Sequence, residues 1–151
     1  MSQPIIRSVK LEDFDALLKL YLELTNGAPV LGGRAGRTKL AEILEHSGTY
    51  VFGAELNGVL VSVASLHICP NLTFGGRSHA RIENVVTARE HRGRGLARLV
   101  MEVAIDKARE QNVLSIILLT GKQLDVRGFY EKLGFNAEDK WGMIIRPQAR
   151  T

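Results

Sequence analysis

The chain has little that would cross-link it or anchor it. Its one cysteine, Cys69, excludes an intramolecular disulfide and makes a reducing cytoplasm the expected location. No window approaches the ~18 consecutive apolar residues that span a bilayer. The N-terminus carries no basic stretch followed by an apolar run, so no leader peptide and no membrane partner are expected. Aromatic residues make up only 6%, and no stripe of them interleaves with the arginines, which argues against a nucleic-acid partner. No spacing of His, Cys, Asp and Glu resembles a metal site, and His46, His67 and His91 show no convergence. The chain also lacks repeats, low-complexity tracts and an internal linker, so 1–151 reads as a single domain.

What is present is ordinary for a globular protein. Hydrophobic residues at 45% are enough to bury a core without disulfides or metal. The net charge of +4 suits an acidic partner, and several arginines cluster at 89–98.

The pattern predicts a strand at Pro4–Val9, a helix at Leu11–Leu24 and a second short helix at Thr38–His46. Between the helices, Thr25 to Gly36 reads as a loop because it holds four glycines and a proline. Thr49–Leu56 and Val59–Cys69 flank Asn57-Gly58, the strongest short-range hairpin signal. Arg77–Thr87 is a third strand. Strict alternation puts Ala80, Ile82, Asn84 and Val86 on one face, with His79, Arg81, Glu83, Val85 and Thr87 on the other. A helix from about Arg94 to Gln111 and an apolar, doubly buried strand at Val113–Leu119 complete a crossover. Asp125–Leu133 reads as a short helix closed by Gly134, and Trp141–Arg146 as a last strand. The class is α+β: an antiparallel meander joined to one parallel crossover.

The most informative stretch is His91-Arg92-Gly93-Arg94-Gly95-Leu96-Ala97, at the junction of a strand and a helix. Such a junction aims backbone N–H groups and the positive end of the helix dipole at one spot. Gly93 and Gly95 have no Cβ to keep an anion from the main chain, and Arg92 and Arg94 add charge. A phosphate or diphosphate seat is expected. A dinucleotide fingerprint is excluded because Arg98 stands where its third glycine belongs, and the Lys-Ser/Thr of a P-loop is absent.

Residues 92–97, Arg-Gly-Arg-Gly-Leu-Ala, resemble the pyrophosphate loop Gln/Arg-x-x-Gly-x-Gly/Ala of the GCN5-related N-acetyltransferase (GNAT) family. Ile82–Thr87 resembles that family's fourth strand, and Phe129-Tyr130-Glu131-Lys132-Leu133-Gly134-Phe135 its Phe-Tyr-x-x-x-Gly-Phe element. The order of elements from 4 to 146 is similar as well. The resemblance implies a mixed, mostly antiparallel sheet of six to seven strands flanked by about four helices. It also implies acetyl-CoA as acyl donor, with no metal. Val85, Val86 and Thr87 would then offer backbone groups to the pantetheine arm, and Arg92, Gly93, Arg94, Gly95, Leu96 and Ala97 would hold the pyrophosphate. Arg127, Phe129 and Tyr130 would lie beside the thioester end. Gln123 and Val126 depart from the Asn and Ala common in the family.

The implied chemistry is direct attack of a primary amine on the thioester through a tetrahedral intermediate. It needs a base, an oxyanion donor and an acid for the leaving thiolate. Glu83 is the favoured base, with His79 the alternative and pairing with Arg81 the competing structural role for Glu83. The Val86 N–H is the expected oxyanion donor. Tyr130 is the expected acid, since its hydroxyl at ~10 and the thiol at ~8.5 titrate close together. Asn26, Arg34, Arg37 and Asn84 are candidates for the acceptor side, where Arg34 and Arg37 would suit a carboxylate or phosphate. The strand and the Gly-Phe-Tyr helix are similar to those of glucosamine-6-phosphate N-acetyltransferases, in which Asp is usual at the position of Asn84. A small-molecule amine is the expected acceptor. A protein or peptide acceptor, or a non-catalytic acyl-CoA-binding module, are the alternatives. A homodimer through residues 139–146 is possible on the same resemblance.

Overall fold

A computed structural model describes residues 2–150. The chain divides into two compact units, residues 1–118 and 119–151. The first holds a five-stranded sheet in the order β1-β2-β3-β4-β5, with β1 at Ile5–Ser8, β2 at Thr49–Leu56, β3 at Val59–Cys69, β4 at His79–Thr87 and β5 at Ser115–Ile117. The first four strands are antiparallel neighbours, and β5 runs parallel to β4. Asn57 and Gly58 are both left-handed, at φ 51° and 81°, as a tight β2–β3 turn requires.

Helices α1 (Phe14–Thr25), α2 (Gly33–Glu45) and α4 (Leu96–Glu110) cover the sheet, and a single irregular turn, α3 (Thr73–Gly76), joins β3 to β4. The helix α1 lies over the face of Ser65, toward which its largely buried Tyr21 hydroxyl is turned. The opposite face belongs to α4, whose Lys107 ammonium stands 5.0 Å from the centre of the Tyr50 ring. Leu66 and Ile82 on the α4 side and Met101 from α4 itself are almost wholly buried. Each contributes about 1.5–3 kcal/mol by leaving water. At the sheet edge Arg7 donates two hydrogen bonds of 2.8 Å to Asp13 and one of 2.6 Å to Glu55, fastening β1 to β2 and to the 3-10 turn Leu11–Asp13.

Four expectations need correction. The second helix begins at Gly33 rather than Thr38, so Arg34 and Arg37 are helical. Gly36, read as a breaker, is there for close packing: a Cβ would lie 2.3 Å from the Leu31 carbonyl oxygen and 2.7 Å from the Phe14 ring. The strand expected at Val113–Leu119 is only Ser115–Ile117 and is not doubly buried, since Ser115 and Ile117 on one face are exposed, Ile117 at 56%. The stretch Trp141–Arg146 forms no strand; no ladder partner is described for it, and Trp141 is 96% exposed.

The fourth correction concerns β4. Ile82 pairs with Leu66 and Glu83 with Ser65, but Val86 pairs with Val63 and Thr87 with Ser62. Ala64 therefore faces two residues, Asn84 and Val85, and Asn84 is left-handed at φ 52°. This is a β-bulge, and it reverses the alternation. Val86 shares the α1 face with Glu83, whereas Thr87 shares the other face with Ile82 and hydrogen-bonds Ser62 at 2.8 Å. The second unit contains a 3-10 turn at Lys122–Leu124 and a short helix, α5 (Arg127–Lys132), which ends before Gly134 at φ 102°.

Candidate active site

Beyond Arg81 the outer edge of β4 loses its neighbour, because β5 pairs only with His79, Ala80 and Arg81. Among the described residues Glu83–Thr87 has no ladder partner on that side, and such an edge can bond an extended, amide-bearing guest as another strand would. Its polarity follows from one bond. Ala88 N–H donates to the Val61 carbonyl at 2.8 Å. Amides two residues apart on a strand point the same way, so the Val86 N–H also faces β3 and the Thr87 N–H faces the open edge. The Val86 N–H, expected to serve the site, is therefore turned away from the open edge, where the Thr87 N–H points.

The chain leaves β4 through a 3-10 turn at Arg89–His91. Glu23 of α1 accepts the Arg89 N–H at 3.0 Å and lies 3.9 Å from the Arg92 guanidinium, which ties the turn to α1. Arg92 donates through Nε to the Thr87 carbonyl at 3.1 Å. Gly93 and Gly95 then take φ of 74° and 77°, a region that costs other residues about 1–2 kcal/mol. A Cβ at either would meet nothing within 4 Å, so their outer surface is open space. Gly95 caps α4 and no side chain caps the helix start, leaving its first N–H groups to an external anion. Arg94 turns to His91 at 2.9 Å, while Arg98 is held by Glu102 at 2.8 Å. The turn, the uncapped helix and the adjoining strand edge all fit a diphosphate joined to a peptide-like arm.

Glu83 is half-buried on the α1 face, one residue before the bulge. Its Oε1 ion-pairs with Arg81, and its Oε2 stands 3.7 Å from His67 Nε2. Arg81 thus takes one carboxylate oxygen of Glu83, and the other faces His67. His79 is exposed at the start of β4, opposite Cys69. Contrary to the sequence reading, His67 does converge on Glu83, and His46 joins it through Thr49. Residue spacing hid this, because the β2–β3 register slips between Ala54 and Glu55.

On the acceptor side, Asn26 ends α1 in the left-handed conformation. Arg34 is exposed in the first turn of α2, and Asn84 is exposed on the bulge. Arg37 bonds Asp15 at 3.0 Å, with its guanidinium 4.8 Å from the Phe14 ring centre. That anchors α2 to α1. In the second unit Tyr130 meets Phe129 edge-on at 5.0 Å and Phe135 at 6.2 Å. Burial pushes its hydroxyl above the usual phenol range, which keeps it protonated at neutral pH. Arg127 is held by Glu138 at 2.6 Å and Glu131 at 2.9 Å.

An open strand edge beside a glycine turn at an uncapped helix suits a phosphate-bearing ligand with a peptide-like arm. The chain matches the Acetyltransferase (GNAT) family over residues 15–135 and belongs to it. The family uses acetyl-CoA, and the chain is an acetyl-CoA-dependent N-acetyltransferase. It is 31% identical to the glucosamine 6-phosphate N-acetyltransferase of Trypanosoma brucei brucei over 137 residues, 89% of this chain and 90% of the relative. A presumed acetyltransferase from Agrobacterium tumefaciens str. C58 superposes with a TM-score of 0.89 at 39% identity, covering 95% of this chain and 99% of that one. A Trypanosoma brucei acetyltransferase superposes with a TM-score of 0.80 at 29% identity, covering 95% and 100%. Such neighbours carry the same fold, with five strands among the described residues in place of the expected six to seven.

Proposed function

We propose that the chain acetylates the primary amine of a small phosphorylated amino sugar, with glucosamine 6-phosphate the first candidate. The observation that carries this reading is the 31% identity to a glucosamine 6-phosphate N-acetyltransferase along nearly the whole of both chains. Arg34, exposed on α2, supplies a cation for the sugar phosphate. Asn26 and Asn84 supply polar contacts to the hydroxyls.

Acetyl-CoA, when bound, supplies the activated acyl carbon and a thiolate leaving group. Residues 92–97 hold its diphosphate through main-chain N–H groups, and the edge at Val85 and Thr87 aligns its pantetheine arm, the backbone groups expected from Val86 being turned to β3 instead. Arg127 and Phe129 serve the thioester end. Glu83 takes the ammonium proton and thereby frees the amine to attack. The Thr87 N–H, aimed outward by the ladder register, stabilises the oxyanion of the tetrahedral intermediate. Tyr130, kept protonated by burial, donates to the leaving thiolate. The enzyme works in the cytoplasm. The exposed Trp141, Met143 and Ile145 support homodimer formation through 139–146, which light scattering after gel filtration tests directly.

The experiment is thiol release from acetyl-CoA against glucosamine 6-phosphate, unphosphorylated glucosamine, polyamines, amino acids and peptides with free N-termini. Glucosamine 6-phosphate should give the highest kcat/KM. Preference for a peptide would replace the small-molecule acceptor with a protein one. Binding of acetyl-CoA with no release against any amine would leave a non-catalytic module.

A further inference from the structure

The β2–β3 register slip and the β3–β4 pairing bring His46 and Thr49 to His67 and Glu83, which lie far from them in the sequence. Thr49 and His67 are direct cross-strand partners, and His67 in turn faces Arg81, two residues from Glu83. Thr49 Oγ1 lies 3.1 Å from His67 Nδ1 and 3.0 Å from His46 Nδ1. His67 Nε2 stands 3.7 Å from Glu83 Oε2. The four form a line from a half-buried carboxylate on the α1 face to an exposed imidazole on the segment between α2 and β2.

We infer that His67, Thr49 and His46 form a relay that carries the amine proton from Glu83 to solvent. The inference rests on the reading of Glu83 as the base. Its logic is stoichiometric: each turnover leaves one proton on Glu83, and the carboxylate must lose it before the next amine arrives. Arg81 occupies Oε1, so Oε2 is the oxygen through which that proton leaves. The other groups facing this line are Arg81 from β4 and, through Ser65, the Tyr21 hydroxyl from α1.

Every member of the line both donates and accepts, which a relay requires. In the competent state His67 donates through Nδ1–H to Thr49 Oγ1, Thr49 donates to His46 Nδ1, and His46 carries its hydrogen on Nε2. The Glu83 O–H bond then breaks as a bond forms to His67 Nε2. His67 Nδ1–H passes its proton to Thr49, Thr49 passes its own to His46 Nδ1, and His46 Nε2–H releases one to water. One proton enters and one leaves. The 3.7 Å step exceeds hydrogen-bond length and is closed by rotation of the Glu83 carboxylate or by one bridging water. His67 and Thr49 act through Glu83, so they are positioning residues.

The test compares the wild type with Thr49→Val, Thr49→Ser, His67→Gln and Glu83→Gln, using acetyl-CoA and the most reactive amine of the panel. Thr49→Val and His67→Gln should each lower kcat about tenfold, the lower range of a proton-transfer contribution, with KM for acetyl-CoA unchanged. Thr49→Ser, which keeps the hydroxyl, should retain wild-type kcat. The dependence of rate on D2O fraction should be curved in the wild type, as several protons move together, and linear in Thr49→Val. If Glu83→Gln is impaired while Thr49→Val and His67→Gln keep wild-type rates and curvature, the relay is wrong and the base stands. If Glu83→Gln is fully active, the base reading falls and the relay with it. A readout that needs no acceptor is 15N NMR of the histidine rings. The neutral His67 ring should carry its hydrogen on Nδ1, the nitrogen that faces Thr49, and a His67 ring with its hydrogen on Nε2 instead overturns the relay on its own.

Discussion

Replacing Gly95 by Ala separates the role of the glycine turn in folding from its role in holding a diphosphate. Gly95 has φ 77°, and a Cβ added there would touch no protein atom within 4 Å. The folded protein therefore meets only backbone strain, about 1–2 kcal/mol. For a chain of this size that lowers Tm by roughly 2–8 °C. Binding should suffer far more. The new methyl group projects into the space through which the anion approaches the helix start, and any relaxation of φ turns the neighbouring amides away. Losing one hydrogen bond to a charged partner costs about 1.5–3 kcal/mol, roughly a ten- to hundredfold rise in Kd. Gly75 is a matched control, with φ 72°, open space around its Cβ position, and a place at the opposite end of β4. Gly75→Ala should match the Tm loss and leave coenzyme A affinity unchanged. Calorimetric titration of both variants with coenzyme A decides the matter. Equal affinities for Gly95→Ala and wild type would refute the reasoning.

Other consequences are equally specific. Tyr130→Phe should lower turnover at least about tenfold with acetyl-CoA affinity nearly intact, and an unchanged rate removes the hydroxyl from the mechanism. Leu66→Ala, in the fully buried centre of β3, should cost about 2–5 kcal/mol, read as a shifted urea midpoint. The Arg7 guanidinium, through its side-chain hydrogen bonds, holds the Asp13 carboxyl below the usual carboxylate range. A depressed folded value contributes stability that is present above about pH 4 and is lost as pH falls through it. Asp13→Asn should therefore be less stable than wild type at neutral pH, with the gap closing in urea titrations below about pH 4.

The sequence revealed features that depend on near neighbours in the chain. The Asn57-Gly58 hairpin, the helix beginning beside Leu96 and the glycine-arginine turn between strand and helix were all legible, because local spacing specifies each. It concealed features set by register. The bulge at Asn84 reverses which residues share a face with Glu83, and the slip between Ala54 and Glu55 decides that Thr49 meets His67. Neither leaves a residue signature, since Asn is only one of several types tolerated in a left-handed position. Gly36 misled for a related reason: a packing glycine and a helix-breaking glycine look alike until Phe14 is in place against one of them. The apolar tail at Trp141–Ile145 has strand composition, but in the described residues it has no ladder to join.

The central claim is that the amides of residues 92–97 hold the donor's diphosphate, and a crystal structure with coenzyme A tests it most directly. The account predicts diphosphate oxygens about 2.7–3.2 Å from main-chain nitrogens at the start of α4, with the pantetheine arm along the open edge of β4. Coenzyme A bound elsewhere, or no uptake by the intact protein, would contradict it.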